Sequence, residues 1–434
     1  MTLEKTIRVL WRATRDPLYR REIAGRIQQK IDNRTFFSWL WRGVKRRVWP
    51  ASQLSTGQVS SSDPVNGYIQ ALRFNQSPHP EHHLPRTRLM PQGEPKGTAP
   101  RFIAYYLPQF HPFEINDQAW GEGFTEWTNT TKALPQYKGH YQPHLPADLG
   151  HYDLRVPDVM RKQIEIAKSY GVHGFCFHYY WFDGKKVMDL PLNQFLSHPD
   201  MDQSFCICWA NENWTRRWDG MESDVLLQQT YAPEKCLEFI HDIIPIIQDP
   251  RYIRVDGKPL LIIYRPLLIP DLEKVVQAWR EEVAKAGMPG LWLVCAQTFG
   301  LQDPGPIGFD AAVEFPPHKI NDRIEDTPVP RGIFNPEFKG KTWLYDDAVA
   351  EALTREVQPY PLYRCAFPSW DNEARRTSAG YSFVETSPCA FGEWLATCVS
   401  YAQETRSSSD KFVFINAWNE WAEETSIEPG RSVS

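Results

Sequence analysis

Short apolar runs alternate with longer amphipathic stretches from Arg101 to the end of this chain. The runs are Phe102-Ile-Ala-Tyr-Tyr-Leu107, Gly174 to Tyr180, Phe205 to Ala210, Leu260 to Tyr264, Leu291 to Ala296 and Phe412 to Ile415, with weaker ones at Ala311 to Phe315 and Tyr363 to Phe367. Their length and their β-branched and aromatic content predict buried strands. Between them, Val156 to Tyr170 places Val159, Met160, Ile164, Ile166 and Ala167 at helical spacing and ends at Gly171. Pro233 to Ile247 repeats the pattern, interrupted at Pro245, and Leu272 to Ala286 and Phe391 to Gln403 complete the helical set. Roughly eight strands alternating with helices predict an α/β fold, a parallel (β/α)₈ TIM barrel with long βα loops. A doubly wound sheet is the competitor, but no Gly-x-Gly-x-x-Gly and no Gly-Lys-Ser/Thr follows a strand, so nucleotide cradling is not signalled.

Residues 1–50 break this pattern. Thirteen Lys and Arg there face four acidic residues, and Phe36, Phe37, Trp39, Leu40, Trp41, Val44, Val48 and Trp49 interleave with Arg42, Lys45, Arg46 and Arg47. This reads as a basic amphipathic helical segment for an anionic membrane surface, or as a helix laying its aromatic stripe on the main domain. Residues 51–100, rich in Pro, Ser and Gln, read as an irregular linker, and 101–434 as the barrel domain. The formal charge of the 434-residue chain is −5, which argues against a general nucleic-acid partner. Eight scattered cysteines without a Cys-x-x-Cys pair read as reduced core residues. No run approaches the ~20 apolar residues of a membrane span, and no secretory leader is evident. The expected location is the cytoplasm, peripheral at the inner membrane if the basic segment binds lipid.

Aromatics make up 13% of the chain, with 17 Trp, and they gather where strands end. In a barrel the C-terminal strand ends form the site. The candidate substrate-binding residues are therefore Tyr106, His111, Trp120, Glu126 and Trp127 after the first strand and His178, Tyr179 and Tyr180 in the second. Trp209, Asn211, Glu212, Trp214, Arg216 and Arg217 follow from the third, Trp370, Asp371, Arg375 and Arg376 from the seventh, and Trp418, Asn419 and Trp421 from the eighth. Flat aromatic faces with carboxylates, amides and guanidinium groups suit a carbohydrate. Glu420 and Glu423 in Trp418-Asn-Glu-Trp-Ala-Glu423 lie three apart, which puts both on one side of a turn, and they are the catalytic candidates. The two Arg doublets suit a phosphate or acidic sugar, or ion pairs with Glu212 and Asp371. His111 and His178 read equally as hydroxyl ligands or packing residues. No His/Cys cluster signals a metal, and no cofactor is expected.

The segments Ala104-Tyr-Tyr-Leu-Pro-Gln-Phe-His-Pro112, Trp120-Gly-Glu-Gly-Phe-Thr-Glu-Trp127, Gly174-Phe-Cys-Phe-His-Tyr-Tyr-Trp181, Cys208-Trp-Ala-Asn-Glu-Asn-Trp-Thr-Arg-Arg-Trp218, Trp370-Asp-Asn-Glu-Ala-Arg-Arg376 and Asn416-Ala-Trp-Asn-Glu-Trp-Ala-Glu423 resemble the WbsX family of glycosyltransferases from polysaccharide biosynthesis clusters, related to glycoside hydrolase family 99. The resemblance spans about Arg101 to Pro429 and implies a barrel and a retaining reaction on an α-linked sugar. Carried over, Glu420 assists the sugar 2-hydroxyl as an internal nucleophile and Glu423 is the acid/base at the glycosidic oxygen. The sequence departs from the pattern at Glu424, where the family has Gly and an easy positive φ, and after Pro429, where the family continues to a closing helix. The barrel is thus expected to lack that helix or to cover the gap with its basic N-terminal segment. Three functions are compatible: a glycan-cleaving or transglycosylating enzyme on an oligo- or polysaccharide, a glycosyltransferase with an activated donor, and a glycan-binding protein that has lost activity.

Overall fold

The structure, a computed structural model, describes residues 64–75, 99–216, 221–328 and 332–430. The basic segment 1–50, most of the stretch 51–100, Arg217 and the side chain of Arg216 lie outside them. One helix, α1 (Pro64–Asn75), falls inside the stretch read as linker, with Tyr68 set edge-on to Phe334 at 5.8 Å.

The barrel strands are β1 (Arg101–Tyr106), β2 (Val172–Phe182), β3 (Ser204–Trp209), β4 (Lys258–Ile263), β5 (Trp292–Gln297), β6 (Ala311–Glu314), β7 (Leu362–Tyr363), β8 (Cys365–Ala366) and β9 (Phe412–Ile415). Every neighbouring pair runs parallel, in the ring order β7-β6-β5-β4-β3-β2-β1-β9-β8. The expected seventh strand is thus two halves flanking Arg364, one paired with β6 and the other with β9, and this split run joins the two ends of the sheet. At the split, Arg364 O still accepts from Phe414 N of β9 at 2.9 Å, and its guanidinium meets buried Glu314 at 2.7 Å.

Around the ring lie α4 (Pro157–Ser169), α5 (Leu190–Ser197), α6 (Pro233–Ile247), α7 (Leu272–Lys285), α8 (Tyr345–Leu353) and α9 (Pro388–Thr405), while α2 (Glu114–Trp120) and α3 (Glu126–Lys132) sit in the long loop after β1. Helix α6 continues through Pro245. Its Phe239 stacks on Trp209 at 3.9 Å and meets Trp279 of α7 at 5.5 Å, so one aromatic column fastens two helices to β3. Fully burying each such ring is worth roughly 1.5–3 kcal/mol. Helix α8, unforeseen in the sequence, buries Tyr345, Ala348, Val349 and Ala352 at helical spacing, in a satellite core that also holds Trp394 of α9.

Beyond β9 the chain is anchored by the carboxyl of Glu428. It accepts from Gln163 Nε2 at 2.6 Å, Tyr152 OH at 2.8 Å and Trp421 Nε1 at 2.7 Å, and Tyr106 OH completes the network on Gln163 at 2.7 Å. Among the described residues no α-helix follows β9.

Candidate active site

The eighth strand end is held in register by its neighbour. Trp418 N donates to Tyr105 O at 2.7 Å, and the Asn419 amide both accepts from Leu107 N (2.8 Å) and donates to Leu107 O (2.9 Å). Asn419–Glu420 then folds back on Thr425–Ser426, with a 3₁₀ turn over Trp421–Glu423. This tight return places both glutamates toward one group, the guanidinium of Arg375. Its Nε meets Glu126 at 2.6 Å, one terminal nitrogen meets Glu420 at 2.9 Å and the other meets Glu423 at 2.7 Å. A planar fork with five donors can serve three carboxylates at once, which a lysine cannot.

Burial opposes the charge on Arg375, but Glu126, Glu423 and Glu420 together outweigh it and hold the guanidinium firmly protonated. Burial also dominates at Glu420. It pushes the carboxyl up, Arg375 pulls it back, Glu423 and Glu126 push again, and the outcome is about 8. Glu423 is the more open of the pair, its side chain 17% exposed against 9% for Glu420.

Behind this cluster, Asp371 N donates to Glu423 O at 2.9 Å, and the Asp371 carboxylate pairs with buried His140, so these residues support the turn from below. Glu424 takes φ 55, the left-handed backbone expected at a Gly position, and its carboxyl reaches His144. A non-Gly residue there bears a strain of order 1 kcal/mol or more.

The carboxylates open into a cavity of about 1540 Å³, larger than the 300–1,000 Å³ typical of small-ligand pockets. Of the residues expected to bind substrate, His178, Tyr180, Glu212, Trp214, Trp370, Arg375 and Arg376 line it with Glu420 and Glu423. Burial pulls His178 down to about 4, which keeps its ring neutral near pH 7.

The remaining candidates among the described side chains are placed elsewhere. Strand alternation separates His178 and Tyr180 from Tyr179, whose hydroxyl bonds Asp242 on α6. Tyr106 and Trp209 likewise point to the helices. Trp418 packs on Phe175 in the core, Trp127 donates to Tyr152 O at 2.8 Å, Trp421 serves Glu428, and Trp120 stacks on Phe124. His111 bonds Pro108 O at 2.9 Å. Asp371, Asn419 and Glu126 act one layer behind the wall, as already described, and Asn211 spends its amide on Arg265 N (2.7 Å) and Arg265 O (2.9 Å). Glu212 pairs with Arg265 at 2.6 Å, and Glu126 rather than Asp371 pairs with Arg375.

Residues that the sequence reading did not select also line the cavity, among them Tyr264, Arg265, Phe299, Phe315, His318, Lys319, Trp343 and Tyr381. Arg265 lies over the Phe299 ring at 3.7 Å. Tyr264 and Arg265 lie at the end of a predicted strand and were legible as such; Phe299 and Lys319 come from irregular loops, and Trp343 and Tyr381 from two short strands, Lys341–Leu344 and Tyr381–Val384, that pair in parallel outside the barrel and were not predicted. Among the described residues no group of His, Cys, Asp and Glu is arranged to hold a metal ion, and no helix is long and apolar enough to cross a membrane.

Comparison with known proteins adds a lineage. The WxcX proteins of Xanthomonas campestris pv. campestris strains B100 and ATCC 33913, both described as uncharacterised, are each 42% identical over 348 residues, which cover 80% of this chain and 49% of theirs. The chain therefore spans about half the length of these curated relatives. Among solved structures, an endo-alpha-mannosidase of glycoside hydrolase family 99 from Bacteroides thetaiotaomicron is 15% identical with a TM-score of 0.47, covering 76% of this chain and 88% of that one. A glycoside hydrolase-like protein is 17% identical with a TM-score of 0.48, covering 81% and 91%. The model of the family described as glycosyltransferase WbsX matches residues 102–434, the whole of the barrel and the carboxylate cluster with it. On that match the chain belongs to the glycosyltransferase WbsX family.

Proposed function

We propose that this protein is a carbohydrate-active enzyme that breaks or exchanges an α-linked glycosidic bond with retention, using Glu420 and Glu423, in cell-envelope polysaccharide metabolism. The observation that carries the reading is one buried guanidinium shared by three carboxylates at the wall of a large, aromatic-lined cavity. Retention needs two carboxyl groups close together, one to transfer a proton to the departing oxygen and one to assist attack. Two carboxyls on a single guanidinium meet that requirement of proximity. Glu423, more open to the cavity, is assigned to the glycosidic oxygen, and Glu420 to the 2-hydroxyl of the same sugar.

The raised value of Glu420 has a consequence for this assignment. Only its ionised form can accept a proton, so the rate climbs with pH toward about 8. The polysaccharide setting draws on the family; the large cavity is what favours an oligosaccharide over a single sugar.

The test is a pair of variants on two substrates. Glu420→Gln and Glu423→Gln each lower turnover of an α-linked oligosaccharide by roughly 10²–10⁴-fold. A dinitrophenyl α-glycoside, whose leaving group needs no proton, restores activity to Glu423→Gln alone. Rescue of Glu420→Gln instead would reverse the two roles, and full activity in both variants would end the proposal.

A further inference from the structure

Charge is unevenly committed around the cavity. Arg375 is held by three carboxylates and Arg265 by Glu212. Two other cations on the wall, Arg376 and Lys319, form no ion pair among the described residues, although the exposed Asp322 lines the same cavity. They come from the loops after the split seventh strand and after β6, neighbours in the ring, and Lys132 at the end of α3 adds a third cation from the loop after β1. These loops flank the Glu420–Glu423 turn on both sides.

Lys132 and Arg376 each have an ordinary explanation. A cation at a helix C-terminus complements the backbone dipole, and Arg376 rests over the Tyr381 ring at 4.8 Å. Lys319 does not fit one as readily. It is half-buried, its backbone stands at φ 66, and its ammonium reaches only the carbonyl of Leu301 at 3.3 Å. Burial, reinforced by Arg323 and only partly offset by the exposed Asp322, pulls its basicity below the usual lysine range. A strained, partly desolvated cation facing a cavity is stabilised by an anion from outside the chain, and non-Gly residues held at positive φ concentrate at functional sites.

We propose that Arg376 and Lys319, with Lys132 beside them, form a subsite for a phosphate ester at the flank of the glycosidic centre. The proposal rests on the carbohydrate reading above and deepens it: the saccharide taken by this cavity carries a phosphate. Sugar hydroxyls need donors and acceptors in balance, and this arc offers an excess of cationic donors. Phosphate oxygens suit the planar arginine fork, and lysine serves them as a point charge. Arg376 is preset for that task, since its backbone N donates to Asn372 O at 2.9 Å and its O accepts from Ala379 N at 2.8 Å. Nucleoside diphosphates and lipid-linked diphosphates share this chemistry.

Calorimetric titration of the full chain with inorganic pyrophosphate, uridine diphosphate and farnesyl diphosphate tests it. Pyrophosphate binds the parent protein, and the double variant Arg376→Gln/Lys319→Gln weakens it at least tenfold while its circular dichroism and melting temperature stay put. Lys285→Gln/Lys274→Gln, the same charge change on exposed α7, shifts binding less than twofold. Tighter binding of uridine diphosphate than of pyrophosphate supports the subsite with a nucleoside source, and tighter binding of farnesyl diphosphate supports it with a lipid source. Absence of pyrophosphate binding, or binding that the double variant leaves within twofold, overturns the subsite. A protein that still processes a neutral α-linked oligosaccharide under that outcome keeps the Glu420–Glu423 reading intact, so the two failures are separable.

Discussion

Replacing Arg375 by Met removes the one cation that Glu126, Glu420 and Glu423 share, at 2.6, 2.9 and 2.7 Å. Two carboxylates about 5 Å apart in an effective dielectric of about 20 repel by about 3 kcal/mol, so three cannot all stay ionised. The alternative is protonation beyond that of Glu420, which at about 8 already shares its proton in the parent. Holding a proton on a carboxyl of ordinary acidity at pH 8 costs about 5 kcal/mol, and at pH 5 under about 1 kcal/mol. Arg375→Met should therefore destabilise the fold by about 3–5 kcal/mol at pH 8, in the range for breaking a buried ion pair, and by less than half of that at pH 5. Urea unfolding followed by tryptophan fluorescence and circular dichroism at both pH values measures this. Adding Glu126→Gln to Arg375→Met removes one repelling charge and should recover part of the loss at pH 8. Arg375→Lys should fall between parent and Met variant, because one ammonium cannot face three carboxylates. A loss below about 1 kcal/mol at pH 8, or an equal loss at both pH values, would refute the shared-guanidinium account.

Stability of the parent protein should itself fall between pH 6.5 and 8. Glu420 and Glu428 are held at about 8 and about 7, above the ordinary 4.5, by burial first; the folded state then binds protons that the unfolded chain has released, and the loss is about 2 kcal/mol. Below pH 6.5 the half-buried His144, His173 and His178, pulled down to about 4, act in the opposite sense, since the unfolded chain takes up protons first. Urea midpoints across that range check the decline, and a rise toward pH 8 would contradict it. Gly380→Ala should lower stability by about 1–3 kcal/mol, because its Cβ would lie 2.7 Å from Glu373 Cα and 2.8 Å from Glu373 N, backbone atoms with no free rotation. The same change should displace the loop carrying Arg375 and Arg376 and reduce saccharide binding; a variant with unaltered melting and binding would show that the loop yields freely. Asn211→Ala frees the backbone of Arg265 and should weaken oligosaccharide binding several-fold with little change in melting temperature, which titration calorimetry can follow.

Periodicity along the chain was enough to place β9 to the residue, α6 in full and the other barrel strands and helices to within a residue or a few. Buried strands and amphipathic helices are local patterns, and eight such alternations leave few architectures open. The same counting located Glu420, Glu423, Arg375, Trp370 and Glu212 at strand ends, where the barrel puts its site.

Which of those side chains meet was decided by tertiary structure alone. Arg375 and Glu126 are 249 positions apart, and nothing local distinguishes that pairing from the more obvious one with Asp371. Glu212 meets Arg265, which lies 53 positions on and whose backbone Asn211 clamps next to it. Alternation in β2 turned Tyr179 away from the cavity while His178 and Tyr180 faced it, the long loops brought in Phe299 and Lys319 without any periodic signature, and a strand pair too short to stand out brought in Trp343. Secondary structure follows from forces between near neighbours in the chain. Ion pairing and solvent exclusion depend instead on distances that exist only once the barrel has closed.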